Sequence, residues 1–174
     1  GEVIRLADAY CEKILDPEHD DDIPASAYPD NKTYPKGGKG IVSVFKIQRD
    51  NYAWTVSDFK MQHPKQPVIY EMHLRDFTTG RTINSALQKL DYLKNMGVDA
   101  IELMPVQEFD GNDSWGYNPC FFFALDKAYG TPKMYKDFID ACHRKGMAVI
   151  LDVVYNHATG NMPFARLYWD SAKN

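Results

Sequence analysis

The residues most able to do chemistry stand where apolar stretches give way to loops. Asp152 sits inside the run Val149-Ile150-Leu151-Asp152-Val153-Val154, and Asn156 and His157 follow it closely. A carboxylate among aliphatic side chains keeps its charge only if it is paired or hydrogen-bonded. Asp152 is therefore either a structural hydrogen-bond hub or part of a ligand site. Asn156 and His157 add an amide and an imidazole, and the three together could hydrogen-bond a ligand or bind a cation. Tyr117 lies between Gly116 and Asn118-Pro119, a rigid turn that would hold its ring in one direction. With Trp115 it either caps a core or faces a ligand. His73, Arg75, Asp76 and Glu102 belong to two further strand-type runs, where alternate residues such as His73 and Arg75 point into a packed interior. Residue type and spacing alone end at a ligand site of unspecified kind.

Three such runs must position these groups. Residues 68–77 are rich in β-branched and aromatic side chains and end in Thr78-Thr79-Gly80, residues 98–104 close at Pro105, and residues 147–154 are nearly all apolar. Between the first two, Ile83, Leu87, Leu90 and Leu93 recur at spacings of three and four before Gly97, which predicts a helix. A long loop over 106–132 follows the second strand and carries Trp115-Gly116-Tyr117-Asn118-Pro119. A helix over 134–145 then buries Met134, Phe138, Ala141 and Cys142 and stops at Gly146. Apolar strands alternating with amphipathic helices predict parallel strands joined by crossovers, an α/β fold in the order β-α-β-loop-α-β. In such folds ligands bind at the carboxyl ends of the strands, where the candidate residues lie.

Residues 1–66 have another character, with the acidic run Asp20-Asp21-Asp22, several prolines, and the turn Gly37-Gly38-Lys39-Gly40 before a short strand candidate at 41–47. They read as a connector. A formal charge of −4 gives no broad attraction for nucleic acid or anionic lipid, so a neutral partner is expected. No apolar run approaches the ~18 residues of a membrane span, and the first residues have none of the parts of a signal peptide. Three cysteines without a CxxC pair indicate neither a zinc site nor a full disulfide framework.

Taken together, the motifs carry a resemblance. Asp152-Val153-Val154-Tyr155-Asn156-His157 resembles the third-strand signature Asp-x-x-x-Asn-His of the alpha-amylase superfamily, glycoside hydrolase family 13. Tyr70-Glu71-Met72-His73-Leu74-Arg75-Asp76-Phe77 is similar to its first strand, Gly97 through Pro105 to its second, and Trp115-Gly116-Tyr117-Asn118-Pro119 to the loop that follows. The resemblance implies the first three units of a (β/α)8 barrel from residue 67 onward, with residues 1–66 leading from an amino-terminal β-sandwich. It implies retaining hydrolysis of α-glucans such as starch or glycogen, with branching, debranching and non-catalytic carbohydrate-binding homologues as alternatives. By position, Tyr117 would stack on the sugar just before the scissile bond and His157 would hydrogen-bond that sugar's hydroxymethyl group. Asp152 would hold the site together, and Asn156 would support the loop or, in calcium-dependent members, bind calcium.

The family's nucleophile, acid/base and third carboxylate follow its fourth, fifth and seventh strands, which the resemblance does not reach here. The 174 residues are accordingly expected to be inactive alone, and exposed sheet edges are expected to drive self-association.

Overall fold

The computed structural model describes residues 3–48 and 51–173. In the amino-terminal segment, β1 (Ile14–Leu15) pairs antiparallel with β2 (Val42–Ser43), and a 3-10 turn at Asp20–Asp22 lies between them. The strand expected over 41–47 thus shortens to two residues. Val44 N still donates to Lys13 O, but Phe45 and Ile47 lie exposed and contribute no buried face to extend the pairing.

The centre is a parallel sheet of β3 (Ile69–Met72), β4 (Ala100–Leu103) and a later strand, β7 (Ala148–Leu151), in the order β3-β4-β7. The registers align Glu71 with Glu102 and Glu102 with Ile150. The expected first strand over 68–77 is cut short, because Asp76 N and Phe77 N turn back to His73 O and form the one-turn helix α1 (Leu74–Phe77). Arg75 therefore sits on a helical turn and not, as expected, on the strand. The third strand also ends before 154, although Asp152 N adds one more ladder bond to Leu103 O at 2.9 Å.

The helix expected over 83–97 is two pieces, α2 (Ile83–Leu87) and α3 (Leu90–Asn95). They part where Lys89 N reaches Ala86 O, three residues back, a 3-10 step. Thr82 and Ser85 close a reciprocal capping box at the start of α2. Ile83, Ala86, Leu90 and Leu93 nevertheless share one buried face.

The expected loop over 106–132 contains a β-hairpin, β5 (Gln107–Phe109) against β6 (Pro119–Leu125). Its second arm is Pro-Cys-Phe-Phe-Phe-Ala-Leu, an apolar run with strand propensity of its own. Cys120, Phe121 and Ala124 bury against Cys11 and Ile14 of the amino-terminal segment, forming a second core beside the main one. The main core lies between the sheet and its helices, where α4 (Pro132–Arg144) presents Tyr135, Phe138, Ala141 and Cys142. Thr131 caps α4, Pro132 begins it, and Gly146 ends it in a left-handed conformation (φ 73°) that lets Met147 N return to Cys142 O. A short helix, α5 (Pro163–Tyr168), closes the described chain.

Polar contacts strap residues 51–66 onto the back of this unit. Asp140 accepts from Thr55 N and Thr55 Oγ1, Phe59 stacks on His143 at 4.1 Å, and His63 meets Asp99 at 2.9 Å. At the front, Lys127 is 1% exposed in its side chain, with Nζ 2.7 Å from Glu108 Oε1 and 3.3 Å from Asp20 Oδ1. Burial, reinforced by the charge of Asp126, pushes the Glu108 carboxyl up to about 8, and burial pushes Asp126 up to about 7.

This has a sign that can be measured. The folded chain holds a proton on Glu108 that an unfolded chain releases near 4.5, so between that value and about 8 the folded state binds more protons. Stability should fall as pH rises through the window, with Asp126 acting in the same direction. Urea midpoints from pH 5 to 8 should decline, and Glu108→Gln should flatten the slope; a midpoint that climbs with pH would refute the assignment.

Candidate functional site

At the carboxyl ends of the strands, three of the sequence-predicted residues come together. The Tyr117 hydroxyl donates a short hydrogen bond to Asp152 Oδ2, and His157 Nε2 lies 2.7 Å from the Tyr117 carbonyl oxygen. A carbonyl can only accept, so Nε2 carries the hydrogen in this contact. A neutral His157 then offers Nδ1 as an acceptor. Asp152 hangs from the last ladder bond of β7, and His157 follows five residues later in the loop, so one strand end supplies both partners of Tyr117.

The backbone of Tyr117 is fixed as firmly as its ring. Gly116 has φ 89°, and a Cβ there would lie 2.4 Å from Pro105 O, so the loop can rest on the end of β4 only with glycine at this position. Gly116 N donates to Ser114 Oγ at 2.9 Å, and Ser114 Oγ bonds in turn to the Asn118 side chain. Thr159 N donates to Pro119 O at 3.0 Å and Asn161 Nδ2 to Asp110 Oδ1 at 2.9 Å, so the segment after β7 clasps both sides of the hairpin loop. Ser114, Asn118 and Asn161 were not singled out by sequence reasoning. The cluster of turn-forming residues around Trp115-Gly116-Tyr117 was the signal that could have found the first two.

The other expected residues take different places. The His73 side chain is 9% exposed, with Nδ1 2.9 Å from Asp76 Oδ2 and Nε2 3.1 Å from both Ser114 O and Tyr129 Oη. It supports the base of the loop. Arg75 pairs with Asp76 and Asp113, and these contacts, Arg75 first and His73 second, hold the Asp76 carboxyl well below the usual range. Trp115 is 61% exposed beside Tyr117. Asn156 is exposed and makes no hydrogen bond among the described residues. No group of three or more His, Cys, Asp or Glu side chains that could hold a metal ion occurs among the described residues.

Glu71 and Glu102 complete the electrostatics. Tyr70, Met72, Ile101 and Leu103 face the helical core, so alternation turns Glu71 and Glu102 to the opposite face, in register with each other. The hydrogen bond to Asp152 pushes the Tyr117 phenol up to about 12, helped by partial burial and by the negative charges of Asp152, Glu71 and Glu102. The site is thus rich in hydrogen-bond acceptors around one immobilised ring.

A family model for the alpha amylase catalytic domain matches residues 69–173. The chain is 41% identical over 131 residues to the malto-oligosyltrehalose trehalohydrolase of Arthrobacter ramosus, a match covering 75% of this chain and 22% of that protein. It is 36% identical over 154 residues to the enzyme of the same name from Saccharolobus solfataricus, covering 88% of this chain and 26% of the relative. Among solved structures, pullulanase type I from Bacillus subtilis complexed with maltose superposes with a TM-score of 0.61 at 33% identity, covering 75% of this chain and 23% of that one. The chain spans roughly a quarter or less of each.

If the bond to Asp152 sets the Tyr117 phenol, Asp152→Asn should bring its titration back toward the ordinary 10.0. Tyrosine Cζ chemical shifts followed against pH, with Tyr117→Phe identifying the resonance, would read this. An unchanged midpoint in Asp152→Asn would mean that something else holds the ring.

Proposed function

The chain belongs to the alpha-amylase family, and on that premise we propose that the whole protein is a retaining glycoside hydrolase acting on α-glucans of the starch or glycogen type, with this chain supplying part of the sugar site. The observation that carries the reading is the closure of Tyr117 onto Asp152 and His157 at the strand ends. A sugar presents hydroxyl donors at its rim and C–H groups on its faces. Tyr117 offers a ring for stacking, and Asp152, Glu102 and His157 Nδ1 offer acceptors. Tyr117 stacks on the sugar before the scissile bond, Asp152 holds the ring, and His157 accepts from the hydroxymethyl group through the nitrogen that Tyr117 leaves unused.

Retaining cleavage uses two carboxyl groups about 5–5.5 Å apart, one a nucleophile and one an acid/base. Neither role is assigned to an acid of this chain. Asp152 is committed to Tyr117, and Glu71 and Glu102 lie below the strand ends, where they set the charge of the mouth. Residues 1–66 act as the connector from an amino-terminal β-sandwich, and residues 67–174 as the first part of the catalytic barrel. Two of the relatives are named malto-oligosyltrehalose trehalohydrolases, which favours a malto-oligosaccharide ending in trehalose as a second reading of the substrate.

Titrating the 174-residue chain with maltooligosaccharides should change its tryptophan fluorescence, because Trp115 is exposed next to Tyr117. Tyr117→Ala should weaken binding about tenfold or more, roughly 1.4 kcal/mol. The same material should release no reducing ends from starch, glycogen or pullulan; robust turnover, or binding indifferent to Tyr117, would sink the reading. The outer edges of β3 and β7 have no strand partner among the described residues, which supports self-association through them. Light-scattering chromatography should give a mass above 19.9 kDa that grows with concentration, and a monomer at every concentration would reject it.

A further inference from the structure

The hairpin that carries Tyr117 is poorly fixed by its own ladder. The β5–β6 pairing shifts register between Gln107 and Glu108 and again between Glu108 and Phe109, so Glu108 is flanked by an irregularity on each side. A ladder interrupted twice within three residues bends its arms, and although Asp126 N to Val106 O and Asp110 N to Asn118 O close its two ends, contacts from outside the ladder share in setting the tilt. At that point Lys127, just beyond β6, reaches across to Glu108 on β5 with Nζ–Oε1 at 2.7 Å. The same ammonium meets Asp20 Oδ1, on the 3-10 turn of the amino-terminal segment, at 3.3 Å. The neighbouring residue on that turn makes a second attachment, with Asn112 Nδ2 donating to His19 O at 2.6 Å. One turn therefore grips the hairpin at its root, through Lys127, and near its tip, through Asn112. Tyr117 lies five residues beyond Asn112.

With Glu108 holding a proton up to about 8, its contact is a hydrogen bond from the ammonium, and Asp20 is the charge that answers Lys127. Buried ion pairs such as Lys127–Asp20 are seldom the most stabilising solution, since a well-packed apolar replacement often does as well or better. Where they are worth having is in selecting one arrangement among several. Packing of Cys11 and Ile14 against Cys120 and Phe121 supplies adhesion between the two segments, but such contacts tolerate sliding. A buried charge does not, because moving it away from its partner leaves an uncompensated ion.

We propose that Asp20, Lys127 and Glu108 form a positioning hub through which the amino-terminal segment sets the tilt of the hairpin and hence the place of Tyr117 in the sugar site. The consequence for sugar rests on the functional reading above; the placement of Tyr117 does not. Asp20 is a residue of the acidic run in the connector, so the segment that leads into the barrel also aims one of its ligand-binding side chains.

The test separates the two. Asp20→Asn keeps the shape of the turn while removing the charge that answers Lys127, and Asn112→Ala cuts the second attachment. Both are expected to leave the far-ultraviolet circular dichroism unchanged and to shift the Tyr117 Cζ resonance, with its titration midpoint sliding from about 12 toward 10.0 as the bond to Asp152 loosens. Asp20→Glu, which can still reach the ammonium, should restore most of the shift. Lys127→Met replaces the cation by an apolar side chain of similar length and should move the same resonance, and if that variant does not fold, the Asp20 pair decides alone. Maltohexaose affinity should drop about tenfold in Asp20→Asn. An unmoved Tyr117 resonance in folded Asp20→Asn overturns the hub, whatever the sugar does. A moved resonance with unchanged affinity upholds the positioning and overturns the sugar role of Tyr117.

Discussion

Side chains alternate across a strand, so the pairing of Ile69–Met72 with Ala100–Leu103 and of the latter with Ala148–Leu151 sorts the chemistry of this chain onto two faces. Met72, Ile101 and Leu103 go to the helices, where Leu90, Leu93 and Phe138 meet them. Glu71 and Glu102 go to the other side, and Asp152 emerges at the end of the third strand beside Tyr117. A slip of one residue in any strand would exchange these sets, placing carboxylates in the helical core. Neither set could tolerate that, since a buried unpaired carboxylate and an exposed aliphatic row are both costly. Everything at the mouth therefore depends on the register, and the register is enforced from below by the packing of Val98, Met147 and the helices beneath them.

The amino-terminal segment contributes in a different currency. Its contacts with the back of α4 are largely polar: Asp140 is 2% exposed and, although burial alone would raise its carboxyl, hydrogen bonds from Thr55 and Val56 and the charge of Arg144 hold it below the usual value. Asp99, just before β4, likewise accepts from His63 and from Val68 N, tying His63 and the start of the first central strand to the foot of the second. Such contacts are directional, so they determine where the segment lies more than how tightly it adheres. At the front the apolar patch of Cys11 and Ile14 supplies adhesion, while Asp20 and His19 supply direction. The amino-terminal segment is thus built into the fold at both places.

Much of this could be read from residue order, and the reasons differ by element. The central strands and the helix over 132–144 were legible because burial imposes period 2 on one and 3.6 on the other, and because Gly146 and Thr131 punctuate the helix. Tyr117, Asp152 and His157 were legible as a group through four motifs in order, and the structure does bring them together. What stayed hidden involved partners remote in sequence. The hairpin was masked because its first arm is three residues long and its ladder irregular, which erases the alternation that marks a strand. The acidic run at Asp20–Asp22 looked like a solvated turn because nothing local reveals that the buried Lys127, beside Glu108, meets it. Arg75 changed elements because α1 is nucleated by backbone bonds to His73, for which residues 74–77 carry no cap signal.

The arrangement also bears on the proposed sugar site. Asp152, Glu71 and Glu102 place negative charge around the ring of Tyr117, adding to the hydrogen bond to Asp152 and to partial burial, which chiefly hold its phenol near 12. An anion entering there would meet repulsion from all three, whereas a neutral ligand bearing hydroxyl donors would find acceptors already in place. Tyr117 arrives at that encounter with little freedom left to lose. Its carbonyl is taken by His157, its hydroxyl by Asp152, and its preceding peptide rests on Pro105 through Gly116. Ordering a free tyrosine on binding would forfeit part of the stacking energy, and here that ordering is complete before the ligand comes. As the proposed sugar platform, the ring would select by posture as well as by surface: a ligand would have to present a flat C–H face at one angle while its rim hydroxyls reach fixed acceptors. On the glucan reading proposed above, a chair-form pyranose would meet both conditions.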